Sequence, residues 1–146
     1  IFNQEATKID LYFNNILKSI SAYQGSTIKS SSRLDQTKLI LFASSNSKID
    51  LNVHLRRLDT RVGLGGKIYL SGEAVNHALN FYSGGICEAE TLKTEQTKIK
   101  GTFGGYAYIN VKTLLDANIL SGVLRVFGNP NKTIINKKLG GKIYSE

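Results

Sequence analysis

Asp10 and Asp50 are the carboxylates of this chain whose spacing most invites a catalytic reading. Placed at equivalent positions two coils apart in a stacked fold, they would lie roughly 10 Å from each other. That is the upper end of the separation at which one carboxyl protonates a glycosidic oxygen while the other activates water. Lys29 falls between them, however. An acid, base, acid ladder on neighbouring strands also serves as charge compensation, each exposed contact contributing a few tenths of a kcal/mol. No further carboxylate or arginine cluster joins this face, so no catalytic residue is assigned.

The remaining reactive residue types do not assemble either. Cys87 is the sole cysteine, which rules out an internal disulfide, and it falls where a repeating apolar column requires a small core residue. A reactive thiol needs a histidine or a cationic neighbour. His77 lies ten residues earlier on another strand and His54 two coils back. Two histidines and one buried thiol are too few for a zinc centre, so neither a metal nor any other cofactor is expected. Gly63-Leu64-Gly65-Gly66-Lys67 looks like a phosphate cradle, but such a loop also needs a hydroxyl after the lysine and a helix behind it. Ile68 and a strand pattern follow instead, and the segment reads as a corner.

Aromatic residues offer a different chemistry. Tyr69, Tyr106, Tyr108, Phe127 and Tyr144 occupy outward positions on or beside a recurring strand, where they form an exposed strip. Tyrosine rings provide large contact area at small entropic cost, which suits a sugar or protein partner. Tyrosine is also favoured on any solvated sheet, where cross-strand aromatic pairs stabilise the sheet by themselves.

The elements that position these residues come from a repeat. An apolar-x-apolar step recurs as Ile9/Leu11, Ile28/Ser30, Ile49/Leu51, Ile68/Leu70, Cys87/Ala89, Ala107/Ile109, Leu124/Val126 and Ile143/Ser145. Successive starts are 19, 21, 19, 19, 20, 17 and 19 residues apart, a period that means stacked units. Glycines precede most steps: Gly25, Gly65-Gly66, Gly84-Gly85, Gly104-Gly105, Gly122 and Gly140-Gly141, with Ser45-Asn46-Ser47 standing in before Ile49. Glycine and asparagine accept the left-handed backbone that a sharp corner demands. Further apolar spots follow in each repeat, as in Leu34 with Leu39 and Leu41, Leu55 with Leu58 and Val62, and Val75 with Leu79 and Phe81. The period of two inside these spots, as in Leu39/Leu41 and Leu79/Phe81, indicates strands, and the helical alternative at Asn110 to Leu120, within INVKTLLDANIL, gives way to the repeat.

These features predict an all-β fold: a right-handed single-stranded parallel β-helix, a solenoid of about eight coils and on the order of 35 to 40 Å long. Leucine-rich repeats would show an asparagine or cysteine ladder, and a sandwich would turn every 8 to 12 residues without a fixed glycine register. The whole chain, 1–146, reads as one domain, and no apolar run approaches the length of a transmembrane helix. The net charge of +8 raises nucleic acid as a partner, but the lysines are spread over every coil without interleaved aromatics. Arg56-Arg57 with Arg61, and Lys137-Lys138 with Lys142, are the only modest clusters. Lysines on exposed strands also discourage sheet-to-sheet association. No nucleic-acid partner is therefore expected.

Gly65-Gly66-Lys67-Ile68-Tyr69-Leu70, Gly84-Gly85-Ile86-Cys87-Glu88-Ala89-Glu90-Thr91-Leu92, Gly104-Gly105-Tyr106-Ala107-Tyr108-Ile109 and Val126-Phe127-Gly128-Asn129-Pro130 resemble the head GIN domain of putative autotransporter adhesins, widespread in Bacteroidetes cell-envelope proteins. The resemblance runs from about Lys8 to Tyr144 and matches the C-terminal, solenoid part of that domain, whose further strands would precede Ile1. It implies a β-helical module exported to the periplasm or cell surface, often within a lipoprotein, with no established enzymatic activity. The partner expected on that basis is a protein or glycan of the envelope, and an end coil is placed to contact another chain. The alternative is a β-helix lyase or hydrolase acting on polysaccharide. The motifs are corners and core positions, so they carry the fold and transfer no site residue.

Overall fold

The computed structural model describes residues 8–146 except 11–15, with 8–10 defined through their backbone pairing. All regular structure among them is strand: β1 (Lys8–Asp10), β2 (Ser19–Ala22), β3 (Thr27–Lys29), β4 (Leu34–Ala43), β5 (Lys48–Val62), β6 (Lys67–Tyr82), β7 (Ile86–Thr102), β8 (Tyr106–Ile119), β9 (Val123–Phe127), β10 (Lys132–Lys137) and β11 (Lys142–Ser145). No helix is long and apolar enough to cross a membrane. Asn110 to Ile119 is strand, as the repeat requires.

Every pairing is parallel, and each strand pairs with its equivalent in the next coil. The path β1-β3-β5-β6-β7-β8-β9-β11 stacks eight rungs, and so spans seven turns between its first and last rung. The predicted count of eight coils corresponds to the eight rungs. The step residues Ile9, Ile28, Ile49, Ile68, Cys87, Ala107, Leu124 and Ile143 are in mutual register along this path. From Ile28 to Leu124 they are buried, and they form one interior column. Leu51, Leu70, Ala89, Ile109 and Val126 form a second buried column two residues on, while Leu11 lies outside the described residues.

Burial alternates along β4 to β9 except where two or more consecutive residues point outward, and those runs mark the bends that divide a coil into three walls. Glu90-Thr91 marks one bend, with a register shift between Ala89 and Lys93. Arg56-Arg57 and Val75-Asn76 mark the next. Val75 is therefore nearly half exposed, against its expected place among the inward apolar residues. It sits on a corner, where an extra residue shifts the alternation by one. The other predicted interior residues, Leu34, Leu39, Leu41, Leu55, Leu58, Val62, Leu79 and Phe81, are buried.

The third bend closes most coils with two consecutive left-handed residues, the conformation of a type I′ turn, while the corner between β8 and β9 has Gly122 alone. Leu64 (φ 48°) with Gly65 (φ 74°) and Ser83 (φ 46°) with Gly84 (φ 77°) are examples, and Ser45 (φ 55°) with Asn46 (φ 59°) does the same without glycine. The turn is bonded from Gly66 N to Gly63 O at 2.9 Å and from Gly85 N to Tyr82 O at 3.0 Å. The second glycine of each pair has a separate task. A Cβ at Gly85 would lie 2.3 Å from the Val62 carbonyl oxygen of the preceding coil, so a bare backbone is required for the coils to stack. Ser47 holds the equivalent position and donates its hydroxyl to the Ala22 carbonyl at 2.8 Å.

Candidate functional site

Two outward walls carry the chemistry. On the first, the residue between the paired inward positions forms the column Asp10, Lys29, Asp50, Tyr69, Glu88, Tyr108, Arg125, Tyr144. Tyr69, Tyr108 and Tyr144 thus stand on one line, with Glu88 and Arg125 between them. Alternate members are about 10 Å apart. Tyr106 lies two residues before Tyr108 on β8 and is exposed, and Phe127, half-buried, pairs with Asn110 on the other side of the line. Two rings are held by cations: Lys48 Nζ sits 4.4 Å from the centroid of Tyr69, and Arg125 lies 5.5 Å from that of Tyr144. Arg125 also donates to Glu146 Oε1 at 2.8 Å. Partial burial, followed by the charges of Glu88 and Asp50, raises the Tyr69 phenol above its ordinary value, so it remains a neutral donor.

Lys29 Nζ lies 3.7 Å from Asp50 Oδ2, the charge compensation that the alternating ladder suggested. Asp10 takes its place in the same register through its backbone.

The outward face of the last wall is a trough of about 780 Å³ that crosses the five stacked strands β4 to β8. One of its columns runs Phe42, Arg61, Asn80, Lys100, Asn118, and a second runs Asp59, Ala78, Lys98, Asp116. The small Ala78 leaves room between longer neighbours. Asp59 is engaged by Arg57 at 3.3 Å and by Lys38 at 3.9 Å. Among the described residues, no carboxylate lies within ion-pair distance of Arg61, Lys98 or Lys100.

The sequence model of the family described as putative auto-transporter adhesin, head GIN domain, matches residues 1–130. The chain belongs to this family. Among solved structures, this GIN domain is similar to a putative adhesin from Bacteroides fragilis, with a TM-score of 0.82 at 21% identity. The match covers 89% of this chain and 61% of that one, and at such identity the likeness is one of fold. No curated protein sequence matches the GIN domain.

Within the GIN domain, the interior holds the residues that looked most reactive. Cys87 has no exposed surface, and burial, aided by Glu88, pushes its thiol up to about 12. That is an inert core thiol. His77 is buried one bend away in the column Leu39, Leu58, His77, Thr97, Leu115, and its Nε2 shares a hydrogen bond of 3.1 Å with Thr60 Oγ1. Thr94 and Thr97 pair at 2.6 Å, and Thr94 donates to the Asn110 carbonyl at 2.9 Å. Burial lowers the His77 pKa to about 4 against the opposing pull of Asp59, so the ring is neutral near pH 7. His54 is on the surface beside Asp35, at 3.0 Å. Gly63 to Lys67 forms a corner leading into β6, with no helix behind it. Among the described residues no cluster of histidine, cysteine and carboxylates could hold a metal ion.

Sequence reasoning assembled the tyrosine column but missed the trough. Only Arg57 and Arg61 drew notice there, because they are close in sequence. Reading outward residues at intervals of 18 to 20 from Phe42 would have found Arg61, Asn80, Lys100 and Asn118 as one line.

Proposed function

We propose that this GIN domain is a non-enzymatic, adhesin-like binding module of the cell envelope, exported to the periplasm or surface, that holds a protein or glycan partner. Family membership supports the adhesin-like role. The single observation behind the contact surface is the line of Tyr69, Tyr108 and Tyr144 on one rigid wall, with Tyr106 and Phe127 beside it. A sheet fixed by stacked coils presents rings without the entropy loss of an ordering loop, and such preorganisation favours binding. Contact through an end coil belongs to the same reading, because Ile134 and Ile135 of β10 are exposed.

The test is the double variant Tyr106→Ser/Tyr108→Ser. Both side chains lie outside the core columns, so the fold should persist with a cooperative melt close to wild type. Retention of partners from envelope extracts, and binding on a glycan array, should both fall. Identical profiles for the two proteins would reduce the strip to ordinary sheet surface.

A further inference from the structure

We propose that the trough on the last wall binds a linear polysaccharide that carries carboxylates on alternate sugars, laid along the solenoid axis over the Arg61, Asn80, Lys100 and Asn118 column. This surface stands apart from the tyrosine wall, so the proposal does not depend on the role assigned there. Along the column a cation alternates with an amide: Arg61, Asn80, Lys100, Asn118. Cations therefore recur on every second rung, about 10 Å apart. A sugar ring is about as long as one rung, so a chain acidic at alternate sugars would meet a cation at each acid and an amide at each neutral ring. Arginine grips a carboxylate bidentately, and an asparagine amide both donates to and accepts from ring hydroxyls and acetamido groups.

The charge balance fits an anionic occupant. Arg57, Arg61, Lys98 and Lys100 face two carboxylates, Asp59 and Asp116, and Asp59 is already paired. At the head of the column Phe42 meets Tyr23 with ring centroids 5.2 Å apart, an aromatic end against which a sugar face can rest. Between the cations there is no aromatic residue on which a base could stack, which favours a glycan over single-stranded nucleic acid.

The probe is a hyaluronan decasaccharide, acidic at alternate sugars, titrated calorimetrically into the 146-residue chain at low salt. Chito-oligosaccharide, a neutral chain of N-acetylated sugars, and single-stranded DNA are the comparators. Hyaluronan should bind and weaken as salt rises, while the neutral chain should not bind. Arg61→Gln/Lys100→Gln should lower affinity by about tenfold or more, two exposed charge contacts being lost. Asn80→Ala/Asn118→Ala, which alters no charge, should lower it severalfold. Thermal melts of both variants should match wild type, and the amide pair carries the test if the charge pair is unstable. Failure of hyaluronan to bind, unchanged affinity in the folded variants, or equal or tighter binding of DNA would overturn the proposal.

Discussion

Two interior columns of this solenoid face each other across the same core and are built differently. The column of Ile28, Ile49, Ile68, Cys87, Ala107 and Leu124 is wholly apolar. The column of Leu39, Leu58, His77, Thr97 and Leu115 turns polar in its middle, where Thr60 and Thr94 join it. The first needs only size and apolarity from each residue. The second survives because its polar atoms are satisfied: no buried side-chain nitrogen or oxygen is left without a partner among the described residues. Tolerance in one column is chemical exclusion, and in the other it is pairwise matching.

The sharpest way to break this contrast is Ile68→Asp. An unpaired carboxylate in the apolar column has no partner on any neighbouring rung, and its burial costs more than a domain of this size can absorb. The variant should show no cooperative melt by circular dichroism, and an unshifted transition would refute the register.

Titration separates the columns next. The unfolded chain protonates His77 near its ordinary value of 6.5, whereas the folded chain does so only near 4. Above pH 6.5 neither form is charged and His77 adds no pH dependence. Between pH 6.5 and 4 the unfolded state takes up the extra proton, so stability falls by up to about 3 kcal/mol as pH drops. Urea denaturation of wild type and His77→Leu across this window should show the extra slope in wild type alone, and equal slopes would contradict the buried neutral ring.

A smaller loss isolates the matching itself. Thr60→Val keeps the volume but removes the partner of His77 Nε2, and should cost about 1 to 2 kcal/mol in the same assay. The same exchange at exposed Thr37 should cost much less. The mildest test concerns Cys87: a thiol reagent should leave it unlabelled in native buffer and label it stoichiometrically in denaturant. Rapid native labelling would place that strand face outward.

The apolar column was legible in the sequence because a period of about 19 residues and a two-residue step both survive in the residue types. Asn46 was legible as a corner for the same reason, being chemically able to do what glycine does there. His77 and Thr97 were not, because a polar residue leaves no mark in an apolar pattern. Only their pairing with Leu58 and Leu115 assigns them inward. Gly85 was read as one of the left-handed residues of a sharp corner, yet its φ is not positive and its role is clearance beneath the Val62 carbonyl, a distance between coils that one repeat cannot reveal. The trough was hidden because concavity belongs to the wall as a whole, and its residues are contributed by five separate strands, β4 to β8.

Stacking in register also sets how the molecule opens. Each coil is bonded to the coil before and the coil after, so order can be lost from an end without first being lost in the middle. β10 is exposed along all six of its residues and β11 along most of its length, whereas β5 to β8 carry neighbours on both sides. Exchange of backbone protons with solvent should therefore be graded along the axis, rapid at β10 and β11 and slowest around β6 and β7. The domain would peel rather than shatter, and its central coils would outlast the loss of its last.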